Sequence, residues 1–413
     1  MQLLKSAIAA TTVVLYSRWM GAAGRGELSL LLFYVNLVMI ANEYVGGSSL
    51  ANLVPKYGVR NLNPTAFLWS IFVVIIAFFG FLFMGQSTNI ALALSTFSLC
   101  LAQLTIHYNY YQGLGRVFQR NYLQLLLELL KLILWIAIAW IAFGPYNCSE
   151  LINTNTAIYI FLISTFLVWM FSEYLLRKEI GWVHKNKRVP IVGELFKLGF
   201  WAQNGQLIQF LNYRLVLMFI DKKLGLSETG IYSNALLIAD TIWIFGNSFG
   251  TIAHMRMLQS NNAVFRADIT IRYAAVALAG TILACLFLVA VPNAVFVFIF
   301  GHDFESLKFT TLWFIPAVVA LGLSTVFSHY LHATNQFKKL LFANAMGLCI
   351  QVGIGFWLIP IWGLKGACVA ADVGFVLILA VVLFYFKKQN PNASLKGVFR
   401  FKSIRKIVVN MLG

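Results

Sequence analysis

Residues 214–250 read RLVLMFIDKKLGLSETGIYSNALLIADTIWIFGNSFG. Two apolar runs flank one short gap, which holds Asp221, Lys222, Lys223 and Glu228 together with Gly225 and Gly230. That is the pattern of two membrane-crossing helices joined by a brief connection. The stretch at 10–46, ATTVVLYSRWMGAAGRGELSLLLFYVNLVMIANEYVG, repeats it at an offset of 204 (Gly21 to Gly225). Gly21, Gly26, Ser29, Leu32, Ile40 and Gly46 fall on Gly225, Gly230, Ser233, Leu236, Ile244 and Gly250. Both copies sit in the gap after an odd-numbered span and run into the next span. An even number of spans separates them, so they share one orientation, as parallel six-span repeats do. A second echo pairs His107-Tyr108 with His329-Tyr330, at an offset of 222 (His107 to His329). A longer ninth gap accounts for the larger offset.

Composition agrees with this reading. Of 413 residues, 60% are apolar and 11% charged, against about 25% charged in a soluble domain. No water-soluble fold of this size hides that much apolar surface. Spans are expected near 3–20, 28–54, 65–84, 90–112, 122–143, 156–176, 194–220, 229–256, 271–291, 308–331, 338–359 and 363–386. The expected architecture is an all-α polytopic membrane protein with about twelve helices. Its N-terminal six-helix lobe covers 1–188 and its C-terminal lobe 189–386, with a basic tail over 387–413. The opening stretch 1–23 looks like a signal peptide, but as the first member of the repeat it is expected to stay uncleaved.

The net charge of +17 is distributed between the spans. The N-terminus, the even-numbered gaps and the tail hold 22 of the 31 Lys and Arg, against six in the odd-numbered gaps. This bias places both termini in the cytoplasm and makes anionic lipid a partner of that face. It is unlike the basic modules that bind nucleic acid, so no nucleic-acid partner is expected. The five cysteines are scattered, without metal-ligand spacing, and read as packing residues. There is no P-loop, no catalytic carboxylate pair and no metal cluster in a loop, so neither a cofactor nor an enzyme activity is expected.

Polar residues inside spans are the candidate site, because ionisable groups in lipid face a cavity or a partner. Ser29, Asn36 and Glu43 recur every seven residues in the second span, and Ser233, Asp240 and Asn247 match them in the eighth. These stripes either hydrogen-bond between helices or line a cleft between the lobes. In the fifth span Gln124, Glu128, Lys131 and Trp135 share a face, with Lys131 on the order of 13 Å deep. Lys131 either pairs with Glu128 or meets an anionic substrate. The seventh span carries Lys197, Trp201, Asn204, Gln209 and Asn212, then Arg214. Arg214 either snorkels to the outer headgroups or offers its planar fork to phosphate. Asp372 is either a cleft acid or a partner for a neighbouring helix. His107, His329, His332 and the tyrosines beside them read as an aromatic belt at the interface.

The stretch from Arg214 through Gly225, Gly230 and Ser233 resembles the junction between the seventh and eighth spans of Wzx-type polysaccharide flippases. Arg18-Trp-Met-Gly21-Ala-Ala-Gly-Arg-Gly26-Glu-Leu-Ser29 resembles their first junction. Ile359-Pro360-Ile-Trp-Gly363-Leu-Lys-Gly366-Ala resembles the one before their last span. Phe300-Gly301 followed by Leu312-Trp-Phe-Ile-Pro316 fits as well. That family shares a superfamily with MATE drug/cation antiporters and MurJ-type lipid II flippases. The resemblance implies transfer of undecaprenyl-pyrophosphate-linked oligosaccharide across the bacterial inner membrane by alternating access. It implies other membrane proteins of polysaccharide assembly as partners. Substrate contacts are then expected from Lys131, Arg214, Asn36, Lys197, Asn204 and Gln209. Ion or proton coupling is expected from Asp240, Glu43 and Asp372. Where many relatives carry an acid two residues after the Arg214 position, this chain has Val216. The rivals are a MATE-like antiporter, whose usual first-span acid is missing from 3–20, and a polysaccharide polymerase or ligase, which generally needs a large outer loop.

Overall fold

The computed structural model describes residues 1–144, 148–178, 191–260 and 262–399. Lys185, Lys187, Arg188, the Trp201 side chain and the tail from 400 lie outside the described residues. Among those described the chain is all-helical and without strands. It forms two compact units, 1–207 and 208–413.

The first unit contains α1 (Gln2–Gly46), α2 (Ser48–Tyr57), α3 (Val59–Phe83), α4 (Thr88–Gly113), α5 (Val117–Phe143), α6 (Thr154–Leu176) and the start of α7 (Ile191–Leu224). The second contains the rest of α7, then α8 (Leu226–Leu258), α9 (Ala263–Ala290), α10 (Asn293–Phe300), α11 (Leu307–Trp313), α12 (Ile315–Ala333), α13 (Phe337–Trp362) and α14 (Leu364–Gln389). Ten helical segments are long and apolar enough to cross a membrane, the first of them Leu4–Tyr57. That segment turns at Gly21 and supplies two crossings. The 34-residue α7, with its polar stripe, is the twelfth.

Two expected gaps are much shorter than hydropathy suggested, and a third is displaced. The gaps at 21–27 and 221–228 reduce to the single residues Gly21 and Gly225, the break expected at 360–362 falls on Gly363, and helix runs through the rest. Gly21 (φ 70°, ψ 179°) and Gly225 (φ 94°, ψ 179°) adopt nearly the same backbone conformation. That region is essentially closed to residues with a Cβ. Charged residues such as Arg25 and Glu228 therefore sit on helices.

The central helix is α4 in the first unit and α12 in the second; each packs on most helices of its own unit. Their C-terminal turns match in detail. Arg116 N donates to Tyr111 O and Gly115 N to Gln112 O, while Gln336 N donates to Leu331 O and Asn335 N to His332 O. Gly115 and Asn335 both have positive φ, as the αL cap requires. These caps are related by an offset of 220 (Gly115 to Asn335), so the echo of His107-Tyr108 lies two positions from the register expected. Gly46 approaches Ile106, and Gly250 approaches Val326 and His329, which repeats the same 204 and 220 offsets.

Two further expectations change. The ninth gap is itself helical, as α10, a turn at His302–Phe304 and α11, and the tenth span starts at Ile315. Buried Phe304 and Leu307 pin that connection to the unit. His107, Tyr108, Tyr110 and Tyr111 are interior residues rather than a lipid-facing belt. His107 contacts Ser172 Oγ at 3.0 Å and Glu173 Oε2 at 3.2 Å. Sequence hydropathy cannot distinguish an amphipathic ring at a lipid interface from one satisfied inside a bundle.

Lipid is required by the outer surfaces. On α3, Phe72, Ile75, Ile76, Phe79 and Phe83 form one exposed face, with Phe83 95% exposed. On α13, Phe356, Trp357 and Ile361 do the same. Contiguous apolar faces of this kind are not left to water.

Candidate functional site

The second unit holds a partly open cavity of about 220 Å³ with polar lining groups. Gln209, Asn212 and Tyr213 reach it from α7, Trp243 and Asn247 from α8, and Asn344 from α13. The central helix α12 supplies Ser324, Thr325, Ser328, His329 and His332, and α14 supplies Phe375 and Ile378. Among the described residues, no Asp, Glu, Lys or Arg lines it.

The helices bring these groups together through spacing. Trp243 and Asn247 lie four apart on α8, and Thr325, Ser328, His329 and His332 follow the three-and-four rhythm of one α12 face. Close approach of α8 and α12 is permitted by Gly246, where an added Cβ would lie 2.6 Å from Gly322 Cα.

An aromatic wall forms one side. Tyr213 packs on Trp243 at 5.7 Å and on Phe375 at 5.3 Å between ring centroids. Trp243 Nε1 donates to Thr325 Oγ1 at 2.8 Å, which fixes the indole. Asn212 is 1% exposed, and its Nδ2 donates to Ile208 O and Asn344 O, each at 3.0 Å. Asn212 Oδ1 and the Tyr213 hydroxyl are buried with no hydrogen-bond partner. Buried polar atoms normally have one. His254 Nδ1 lies 3.1 Å from His329 O, and the His254 and His329 rings are 5.4 Å apart. His329 and His332, expected in an interfacial belt, face the cavity instead.

Of the nine residues singled out from sequence, Gln209 lines this cavity. Arg214 and Asp240 pair with each other, Nη2 to Oδ2 3.3 Å, with side chains 32% and 35% exposed. Asp240 is one helical turn from Trp243, about 4.5 Å along α8. Asp372 Oδ1 accepts from Ala317 N at 2.8 Å and so caps the start of α12.

The other expected residues belong to the first unit. Lys131 Nζ lies 3.0 Å from Glu128 Oε1, both side chains 19% exposed, and 5.5 Å above the Phe161 ring. Lys5 Nζ donates to Gln124 Oε1 at 3.1 Å on the same helix α5. Asn36 is exposed, and its Nδ2 donates to Leu32 O at 2.6 Å. Asn204 makes the same back-bond to Phe200 O at 2.7 Å. Glu43 is half-buried, without a basic partner among the described residues, and Lys197 is exposed. The two stripes divide: Ser29 and Ser233 are buried and bond to their own helices, whereas Asn36 and Asn247 are open. A strict seven-residue repeat drifts about 20° per heptad around a straight helix.

Sequence reasoning named Asn212 and Asn247 but missed Tyr213, Trp243, Thr325, Ser328 and Asn344. The signal for α12 was present as hydroxyls and histidines on one face of an apolar span.

No family model and no curated protein matches the chain. Solved structures do. A lipid II flippase, MurJ, in an inward closed conformation aligns with TM-score 0.74 at 12% identity, covering 100% of this chain and 95% of that one. An inward-facing multidrug resistance MATE family transporter of the MOP superfamily aligns with TM-score 0.73 at 13% identity, covering 94% and 96%. A MOP superfamily transporter from Pyrococcus furiosus, described by the reverse polarity of its binding pocket, aligns with TM-score 0.63 at 13% identity, covering 96% of each chain. At such identities the likeness is one of fold: this multi-pass helical chain is built as those transporters are.

Proposed function

We propose that the chain is a flippase that moves undecaprenyl-pyrophosphate-linked oligosaccharide repeat units across the bacterial inner membrane by alternating access. The observation that carries this reading is the cavity, polar and aromatic yet free of acidic side chains. It suits uncharged hydroxylated cargo and, among the described residues, gives an organic cation no carboxylate to pair with. The membrane-depth cations Lys131 and Arg214 are the groups proposed to meet the pyrophosphate, with Asn36, Lys197, Asn204 and Gln209 along the polar path. Each of the two cations already faces a carboxylate. A dianionic pyrophosphate can compete for such a cation because bidentate, charge-assisted hydrogen bonds are the stronger ones. The polyprenyl tail stays in lipid, since extraction costs about 0.8 kcal/mol per CH₂. Asp240, Glu43 and Asp372 are the acids proposed to couple the cycle to protons or Na⁺.

The second reading is cation antiport, as in a drug exporter. It is favoured by Glu43, a half-buried acid with no basic partner among the described residues.

The test deletes the gene in its host and follows lipid-linked oligosaccharide in each leaflet. Build-up in the inner leaflet, rescued by the unmodified protein but not by Lys131→Ala or Arg214→Ala, is expected. Unchanged surface polysaccharide in the deletion strain, with dye efflux lost, sinks the flippase reading and leaves the antiporter.

A further inference from the structure

We infer that the cavity of the second unit is a subsite for one neutral sugar ring of the cargo, and that it discriminates against charged sugars. The inference rests on the flippase reading for its cargo, but its chemistry stands on the cavity alone.

Size limits the ligand first. About 220 Å³ holds several waters at about 30 Å³ of liquid volume each. That is room for a single pyranose ring. Polarity limits the class. The amides of Gln209, Asn212, Asn247 and Asn344 offer donors and acceptors together, which is the pattern that ring hydroxyls, themselves donor and acceptor, require. Asn212 Oδ1 and the Tyr213 hydroxyl are buried and unpartnered. An occupant toward which either side chain turns would supply its missing bond and remove that desolvation cost. The Tyr213–Trp243 wall presents π-faces to the C–H face of a pyranose, apolar on that side and hydroxylated at its rim. The Trp243 bond to Thr325 holds that wall in place before anything binds.

Charge sets the selectivity. A uronate carboxylate or a free amino sugar brings an ion into a site with no Asp, Glu, Lys or Arg in its lining among the described residues. Burial of an unpaired charge is strongly unfavourable. The Arg214–Asp240 pair one turn away is internally neutralised, so it offers neither charged ligand a net opposite charge.

The test uses the purified full-length protein in nanodiscs. The probes are the methyl glycosides of glucose, N-acetylglucosamine and glucuronic acid, followed by saturation-transfer NMR with competition. Saturable binding of a neutral glycoside is expected, with glucuronide at least tenfold weaker. Tyr213→Phe removes only the hydroxyl, and Asn247→Leu alters a side chain that is open in the structure; both are expected to fold normally. Each is expected to weaken the neutral glycoside by about tenfold, the value of one good hydrogen bond. Lys131→Ala, in the other unit, is expected to leave glycoside binding unchanged while abolishing rescue of the deletion strain. No saturable binding, equal binding of the glucuronide, or binding indifferent to both cavity variants overturns the subsite. If that happens while the deletion strain still accumulates inner-leaflet oligosaccharide, the flippase reading stands without it. If glycosides bind as expected but the deletion strain shows no accumulation, the subsite stands and the flippase reading falls.

Discussion

Matched positions in the two units differ in charge at two of three sites. At the 204 and 220 offsets, Lys5 corresponds to Gln209, Gln124 to Asn344, and Lys131 to Gln351. In the first unit these residues form a charged cluster, with Lys5 on Gln124 and Lys131 on Glu128. In the second unit they are amides: Gln209 and Asn344 line the neutral cavity, and Gln351 is buried. The helix crossing differs too. Gly246 meets Gly322 in the second unit, where the first has Asn42, which accepts from Ser70 at 2.8 Å, and Ala102. One scaffold thus carries a charged cluster at one set of positions and amides at the matched set, while the second unit keeps its own ion pair, Arg214–Asp240, elsewhere. The lesson is that the backbone repeat is held by glycine turns and helix caps, which leaves the interior side chains free to diverge.

The largest expected effect tests the charged half. Lys131→Gln makes the first unit resemble the second at that position, and transport measured by complementation should fall at least tenfold. Rescue by Lys131→Gln at the normal level would show that the charge difference between the units has no functional content. Next comes the crossing that opens the cavity. Gly246→Val forces a side chain onto the Gly322 backbone and should destabilise by about 3 kcal/mol, the upper end for overpacking, read as a lowered midpoint in thermal or denaturant unfolding. At the turns the units should behave alike. Gly21→Ala and Gly225→Ala are each expected to cost about 1–3 kcal/mol. Gly80→Ala and Gly205→Ala, on helices with open space around them, should be stabilising by about 0.5–1 kcal/mol. A large difference between Gly21 and Gly225 would mean that the equivalence of the two turns is only formal. The smallest effect concerns Asp372. Removing its cap by Asp372→Ala should cost about 1 kcal/mol, and Asp372→Asn, which keeps an acceptor, only a few tenths. If Asp372→Asn is as stable as the unmodified chain but fails in transport, its carboxylate has a role beyond capping α12.

Much of the fold was legible because lipid imposes a simple rule: spans must be long, apolar and helical. The Gly21/Gly225 match also proved structural, since both residues take the same glycine-only conformation. The site was less legible. Arg214 and Asp240 sit on different helices, α7 and α8, and nothing in periodicity on a single helix predicts that they pair. Asp372 was one of several mid-span acids until Ala317 N was found on its carboxylate. Tyr213 and Trp243 look like ordinary apolar-run aromatics until α7, α8 and α14 are packed together.

Hydropathy by itself determined that this is a polytopic helical chain, and the internal repeat marked the matching turns at Gly21 and Gly225. Those properties are sums over local segments, and the bilayer reads them segment by segment. Only tertiary structure decided which buried polar atoms are satisfied and which remain without a partner. That depends on the rotation of each helix about its axis and on backbone approaches such as Gly246 to Gly322, which arise when distant helices pack and have no signature in any one of them.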